Sequence, residues 1–497
     1  MTRELRKQGL LHFLMSILAM GIGAVNNLFI FTHDLALKGF IEYLLPLAYL
    51  IAIPGIGASF IPLKFFPLTE TGKIGYQQLV IRTFVLSASM IAFVAGLIAL
   101  LYGCAHIMGI ELPKPKLEGY YFEFACVMIG TVLIQIFEKL LYINHKVAIT
   151  ALTKNLINKL MIGFAFSLYV FGWLTREGVI QTLPLIYILL VGVLAIYFYQ
   201  NNKSTLSQQQ SVSNPTFNKE SATYVKYGLF MVLTVSVSDK ITYAMLGSIG
   251  TFEENGIFAI NNYLASLILI PYLSVISLYS PQISRSLNAS DFGGLQNIYS
   301  KSSDMLTAMG SGIFLLIWAN LSLLPLISQK MSAVLEYKFV GAILAAGYII
   351  NLSFSVNDQI ISYSEKYKFN IISSITLIVC AVAFNWILIP VFGIYGAALA
   401  NSIAVLSFNL VKAYFIRSRF SLRAHTRNTL IIFLSALAAF GLMELIKTNS
   451  IPGGLLVNNL LVGAVFIFPV LWFKTSIQIN SFLKDMISKY LIKNSVS

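Results

Sequence analysis

The sequence predicts an all-α, multi-pass membrane fold of about fourteen transmembrane helices, and three observations carry that prediction. Apolar residues make up 57% of the 497 and charged residues only 11%. The apolar residues arrive in blocks of about twenty, enough for a helix to cross about 30 Å of hydrocarbon. Lys and Arg collect in alternate connections between the blocks, the bias that orients membrane proteins. A soluble domain carries about a quarter charged residues. A chain with mean hydropathy +0.78 cannot cover a water-facing surface of this size.

The first block, Gly9–Phe31, follows a basic start from Arg3 to Lys7. It exceeds the apolar core of a signal peptide, so it reads as an uncleaved first span. Further spans follow at 40–62, 79–103, 120–143, 156–175 and 181–200. After them comes the longest polar connection, 201–223, rich in Ser, Gln and Asn, which reads as a flexible cytoplasmic linker. A second set runs 224–247, 256–280, 303–326, 339–360, 370–390 and 394–416, and two more spans lie at 428–446 and 455–473.

Six spans on each side of the linker suggest two halves, and an internal repeat supports this. Gly39–Pro54 (GFIEYLLPLAYLIAIP) and Gly256–Pro271 (GIFAINNYLASLILIP) are identical at 7 of 16 positions. Each opens the second span of its half. An even span number per half gives both the same orientation, related by a pseudo-two-fold axis along the membrane normal. The expected organisation is an N-terminal six-helix lobe at 1–200, the linker at 201–223, a C-terminal six-helix lobe at 224–427, and two extra helices with a tail at 428–497. Two such bundles rocking against each other would expose a cavity to alternate sides.

Alternate connections carry twenty-one Lys and Arg on one side and seven on the other. The richer side includes both termini, which are therefore expected in the cytoplasm. The same bias accounts for the net charge of +14. The basic residues sit in short loops rather than in a patch with interleaved aromatics, so nucleic acid is not an expected partner.

Several enzyme classes have no support. No phosphate-binding loop motif is present. The five histidines are scattered without metal spacing, and the three cysteines form no CxxC pair, so neither a metal nor a cofactor is expected. No connection is long enough for an extramembrane catalytic domain.

Charges inside spans point to the candidate site, because each costs about 2.5–3.5 kcal/mol at the bilayer centre. Arg82, Glu138, Lys159, Asp358 and Lys412 fall within a turn or two of cytoplasmic span ends, where long side chains reach the interface. Asp239 and Lys240 lie deeper. A span starting near Tyr224 puts Asp239 about 22 Å along the helix, just past the midplane. Adjacent residues point about 100° apart, so each faces the cavity or a partner on another helix. The pair reads either as a buried structural ion pair or as a cavity cation beside an ion-coupling acid. Amides also punctuate the spans, among them Asn26, Asn27, Asn262 and Asn385. They either bond other helices or meet a hydroxyl-rich substrate.

The stretch Asn357–Ala400 (NDQIISYSEKYKFNIISSITLIVCAVAFNWILIPVFGIYGAALA) resembles bacterial polysaccharide and O-antigen flippases of the multidrug/oligosaccharidyl-lipid/polysaccharide (MOP) exporter superfamily. Asn385, Pro390, Gly393, Gly396, Ala397, Ala398 and Ala400 fit its pattern, as do Gly256–Pro271 and Ile61–Pro67. Asp239-Lys240 looks like that family's acidic–basic pair, with Lys where Arg is common. Lys keeps the charge but loses the bidentate geometry suited to phosphate.

The resemblance implies a flippase rather than an enzyme, placed in the bacterial cytoplasmic membrane. Such a protein moves polyprenyl-diphosphate-linked oligosaccharide from the inner to the outer leaflet by alternating access, for surface polysaccharide assembly. Lys240, Arg82, Lys159 and Lys412 would then bind the anionic head group, with Asn26, Asn27, Asn262 and Asn385 on the sugar. Asp239, Glu138 and Asp358 would couple to Na+ or H+. Partners would be membrane lipid, a polysaccharide polymerase and chain-length machinery. The competing reading is an ion-coupled multidrug exporter of the same superfamily, which predicts a cavity dominated by acids. A membrane-embedded polymerase or acyltransferase would call for a large outer loop or a catalytic His, and the chain shows neither.

Overall fold

The computed structural model describes residues 3–110, 114–207, 214–233, 235–327, 330–446, 451–476 and 480. Within these residues the regular structure is helical throughout, without a strand. Nine helical stretches among them are long and apolar enough to cross a membrane, or up to eleven if each of two bent pairs counts as one span. The chain is a multi-pass membrane protein. It divides into two compact units, Met1–Gly256 and Ile257–Ser497.

The first unit holds α1 (Arg3–Val25), α2 (Leu35–Ala58), α3 (Ile61–Glu70), α4 (Tyr76–Ile107), α5 (Tyr121–Ile143), α6 (Val147–Ala151), α7 (Asn158–Val170), α8 (Arg176–Ser207), α9 (Pro215–Val232) and α10 (Val235–Ile249). Helix α11 (Phe252–Ser266) begins in this unit and ends in the other. The centre is α2, which packs on α4, α5, α9 and α10. Its small residues allow this: Ala48, Ala52, Gly55, Gly57 and Ala58 are all buried. Lipid tails are as apolar as Leu, so close backbone approach is what holds such helices together. At Gly57 a Cβ would lie 2.9 Å from the Leu229 amide of α9, and one on Gly228 would lie 2.0 Å from the Gly57 carbonyl. At the other end a Cβ on Gly39 would fall 1.6 Å from the Phe252 carbonyl.

Two expectations are revised here. The span expected at 224–247 is not one helix: α9 ends at Val232, Leu233 turns away (φ −78, ψ 83), and α10 is bent from α9 by 75°. Asp239 therefore sits near the start of α10, not fifteen residues along a continuous helix, and the midplane estimate loses its basis. The polar stretch 201–223 is not a loop throughout. Residues Asn201–Ser207 continue α8, and Pro215–Thr223 opens α9. Asn214 caps that helix by accepting the Phe217 amide, and Pro215 suits the first helical position, where no amide is needed. The part at 208–213 lies outside the described residues. Helices α9 and α10 both pack against α2 within the first compact unit.

The second unit contains α12 (Ile270–Asn288), α13 (Phe292–Ala319), the short α14 (Leu324–Ile327) and α15 (Met331–Glu336), then α16 (Lys338–Ser353), α17 (Asn357–Tyr363), α18 (Phe369–Phe420), α19 (Arg427–Leu445), α20 (Ile451–Leu461) and α21 (Phe468–Trp472). Helix α18 is two limbs, because Gly393 leaves helical geometry (φ 56, ψ −131). A Cβ on Gly396 would meet the Leu388 carbonyl at 2.0 Å, eight residues back. Eight residues of straight helix span about 12 Å, so the chain reverses here. That matches the two spans read from sequence at 370–390 and 394–416. The C-terminal helices α19 and α20 and the π-helical turn Val462–Ile467 pack on α13, around Leu315, Trp318, Ile432, Ala439 and Phe466. Thr426 forms a capping box with Thr429 at the start of α19, and both hydroxyls donate to the buried Asp304 carboxylate of α13.

Candidate functional site

A cavity of about 280 Å³ opens inside the first unit. Helix periodicity assembles its wall. Glu42, Leu45, Pro46 and Tyr49 fall at i, i+3, i+4 and i+7 on one stripe of α2. Thr131, Ile134 and Gln135 share a face of α5. Lys154 and Asn158 are one turn apart, where the π-helical turn Leu152–Ile157 runs into α7. Tyr187 and Leu190 come from α8, and Lys240 from α10.

The charges of this wall are distributed unevenly. Lys154 Nζ reaches Glu138 Oε2 at 2.9 Å, and Lys139 Nζ reaches Oε1 at 3.1 Å, so Glu138 bridges two lysines. Glu42 takes the Lys38 ammonium at 2.6 Å. Lys240 has no such match: among the described residues no carboxylate forms an ion pair with it. Its Nζ lies 4.6 Å from the centre of the Tyr49 ring, an electrostatic contact weaker than an ion pair. Asn158 Oδ1 is buried without a hydrogen-bond partner. The wall thus presents one unmatched cation, one vacant acceptor and aromatic rings. That is chemistry for an anion attached to hydroxyl-bearing groups.

The remaining candidates fall elsewhere. Asp239 is half-buried and is not among the side chains lining this cavity. Arg82 ties α4 to α9, donating from Nη2 to the Asn218 carbonyl at 2.8 Å and from Nε to Ser221 Oγ at 3.2 Å. Lys159 donates to the Ala19 carbonyl at 3.2 Å, and Asn26 Nδ2 donates to the Lys159 carbonyl at 2.8 Å. Asn27 bonds its own helix at Gly23. In the second unit Asp358 and Lys412 meet as an ion pair between α17 and α18. Asn262 accepts from Tyr348 Oη at 2.7 Å, and Asn385 donates to Ala381 of its own helix at 2.7 Å. Asn26, Asn262, Arg82, Lys159, Asp358 and Lys412 therefore join helices, whereas Asn27 and Asn385 bond within their own.

Sequence reasoning passed over Lys154 because it placed 144–155 in a loop, and it did not single out Asn158, at the start of the span expected at 156–175. The stretch Val147–Ile162 holds no Gly or Pro, which was the available signal that helix continues through it.

Outside the spans, Asp34 caps α2. It takes Arg176 through two bonds, 2.6 and 2.8 Å, the Tyr169 hydroxyl at 2.9 Å and the Leu37 amide at 2.9 Å. Burial raises its pKa, but these hydrogen bonds outweigh burial and hold the carboxyl below its ordinary value.

No family model matches the sequence, and no curated protein does. Solved structures do resemble the fold. The lipid II flippase MurJ, in an inward closed conformation, is similar with a TM-score of 0.63 at 14% identity, over 94% of this chain and 98% of that one. An inward-facing multidrug resistance MATE family transporter of the MOP superfamily is similar with a TM-score of 0.57 at 14% identity, over 82% of this chain and 94% of that one. The chain thus has the all-helical fold these two membrane proteins share.

Proposed function

We propose that this protein is an alternating-access flippase. It moves a polyprenyl-diphosphate-linked oligosaccharide from the inner to the outer leaflet of a bacterial cytoplasmic membrane, with both termini in the cytoplasm. The observation that carries the reading is Lys240, a half-buried cation in a cavity wall without an ion-pair partner among the described residues. A diphosphate would supply the missing counter-charge, while the Asn158 acceptor and Gln135 meet sugar hydroxyls. Burying a lone charge is costly unless something pairs with it, so a site built this way favours an anionic guest. The likeness to a flippase fold supports the same reading. Asp239, next to Lys240 on α10, is our choice for coupling to Na+ or H+. A polymerase and chain-length machinery would consume the product.

The fold likeness to a MATE transporter keeps multidrug export as a second reading. Glu42 in the same wall is the feature that would serve a cationic drug. The two separate in cells lacking the gene, complemented with wild type, Lys240→Ala or Glu42→Gln. A flippase leaves lipid-linked intermediates on the cytoplasmic leaflet in the null strain, with rescue by wild type and not by Lys240→Ala. Drug export predicts unchanged intermediates and a fall in cationic-drug resistance, most severe with Glu42→Gln. That second outcome would overturn the flippase reading.

A further inference from the structure

A second groove is separate from the cavity above. It has a volume of about 820 Å³ and lies in the second unit, between the two limbs of α18. Phe369 and Ile372 line it from the start of the first limb. Leu410, Val411, Tyr414 and Phe415 line it from the end of the second, with Ser418 and Arg419 at its rim. The spacing is one helical stripe, so the second limb presents a continuous apolar face that ends in a hydroxyl and a guanidinium. The Phe369 and Phe415 rings stack at 3.8 Å, which pins the ends of the hairpin together.

Two features say what this groove takes. Its apolar side chains are largely uncovered: Ile372, Leu410 and Tyr414 are exposed, as are Ile375 and Val379 further along the first limb. On a helix long enough to span a bilayer, such a face meets acyl chains. The end of the groove is basic. Arg419 lines it, Lys366, Lys368, Arg417 and Arg423 lie in the two segments that meet at this end of the hairpin, and Glu365 is the one carboxylate in segments 364–369 and 410–423. Among the described residues neither Arg417 nor Arg419 forms an ion pair. A row of cations at the membrane boundary above an apolar groove complements one kind of molecule, an anionic amphiphile.

We propose that the α18 groove is a binding site for an anionic phospholipid of the surrounding leaflet. The acyl chain lies along Ile372, Leu410 and Tyr414. The phosphate sits at Arg419 and Ser418. The site is independent of the transported substrate and does not require the flippase reading.

The test is native mass spectrometry of the full-length protein in detergent, titrated with phosphatidylglycerol or phosphatidylcholine. Wild type is expected to bind phosphatidylglycerol in preference. Arg419→Gln should weaken that binding about fivefold, the scale of one charge at an anionic surface. Leu410→Trp fills the groove and keeps every cation, and it should also reduce binding. Arg285→Gln, at the end of α12, removes a charge elsewhere and should leave binding unchanged. Equal binding of the two lipids by wild type would overturn the proposal. So would equal losses with Arg419→Gln and Arg285→Gln, which would mean a diffuse surface charge effect. Full binding by Leu410→Trp would show that the groove itself is not occupied.

Discussion

Replacing Asp358 by Asn should destabilise the protein more than replacing its partner, and burial supplies the reason. The Lys412 side chain is 3% exposed, whereas that of Asp358 is 43% exposed. Removing one member of a buried ion pair costs about 3–5 kcal/mol, because the other charge stays buried and unpaired. Asp358→Asn strands the buried ammonium. The Phe408 ring, 3.8 Å from Nζ, offsets part of the loss, so we expect about 2–3 kcal/mol. Lys412→Met strands only a carboxylate that water already reaches, and its side chain suits the apolar site, so the expected cost is about 0–1 kcal/mol. The double variant should resemble Lys412→Met alone, giving a coupling energy of about 2 kcal/mol. Reversible unfolding in mixed detergent micelles measures all three. A larger cost for Lys412→Met than for Asp358→Asn would refute the reasoning. Stability unchanged in both, with transport lost, would return the pair to the direct roles in substrate binding and ion coupling that its residue types suggested.

Gly39→Ala should prevent α2 and α11 from approaching at Phe252, because the added Cβ would overlap a backbone carbonyl that cannot rotate away. Gly96→Ala on α4 meets nothing within 4 Å and should be neutral or slightly stabilising, so a thermal-unfolding comparison in detergent isolates the contact. Asp34 has a folded-state pKa below its ordinary value, so its contribution to stability is present above the unfolded-state pKa, about 3.9. The contribution disappears as pH falls through the lower folded-state value. An Asp34→Asn variant should be less stable at neutral pH and should lose that part of the acid dependence. A parallel fall of both proteins between pH 5 and 2 would show that the Arg176 pair contributes nothing.

Much of the architecture was legible because lipid imposes a strict rule on sequence. Every backbone polar group inside the bilayer must be bonded within the chain, so apolar blocks of about twenty residues have few options besides helix. The reversal at Gly393 was legible for a local reason: Pro390 and Gly393 punctuate an otherwise unbroken apolar run. The break after Val232 was not. No Gly or Pro lies between Leu229 and Ile241, and composition alone reads straight through. The candidate site was half legible. Lys240 announced itself as a charge in an apolar segment, and the cavity wall does include it. Lys154, Asn158 and Tyr49 carry no such mark, since each is unremarkable in its own stretch of sequence.

The class of fold, the approximate spans and the short list of costly charges follow from the sequence by itself, because each depends on residues near one another in the chain. Which charge stays unmatched is a different kind of fact. Glu138 lies between Lys139 and Lys154 and Glu42 beside Lys38, while Lys240 faces Tyr49. An electrostatic partner is set by distances of a few ångströms between helices that can be a hundred residues apart. Only the packing of α2, α5, α8 and α10 around one cavity decides them.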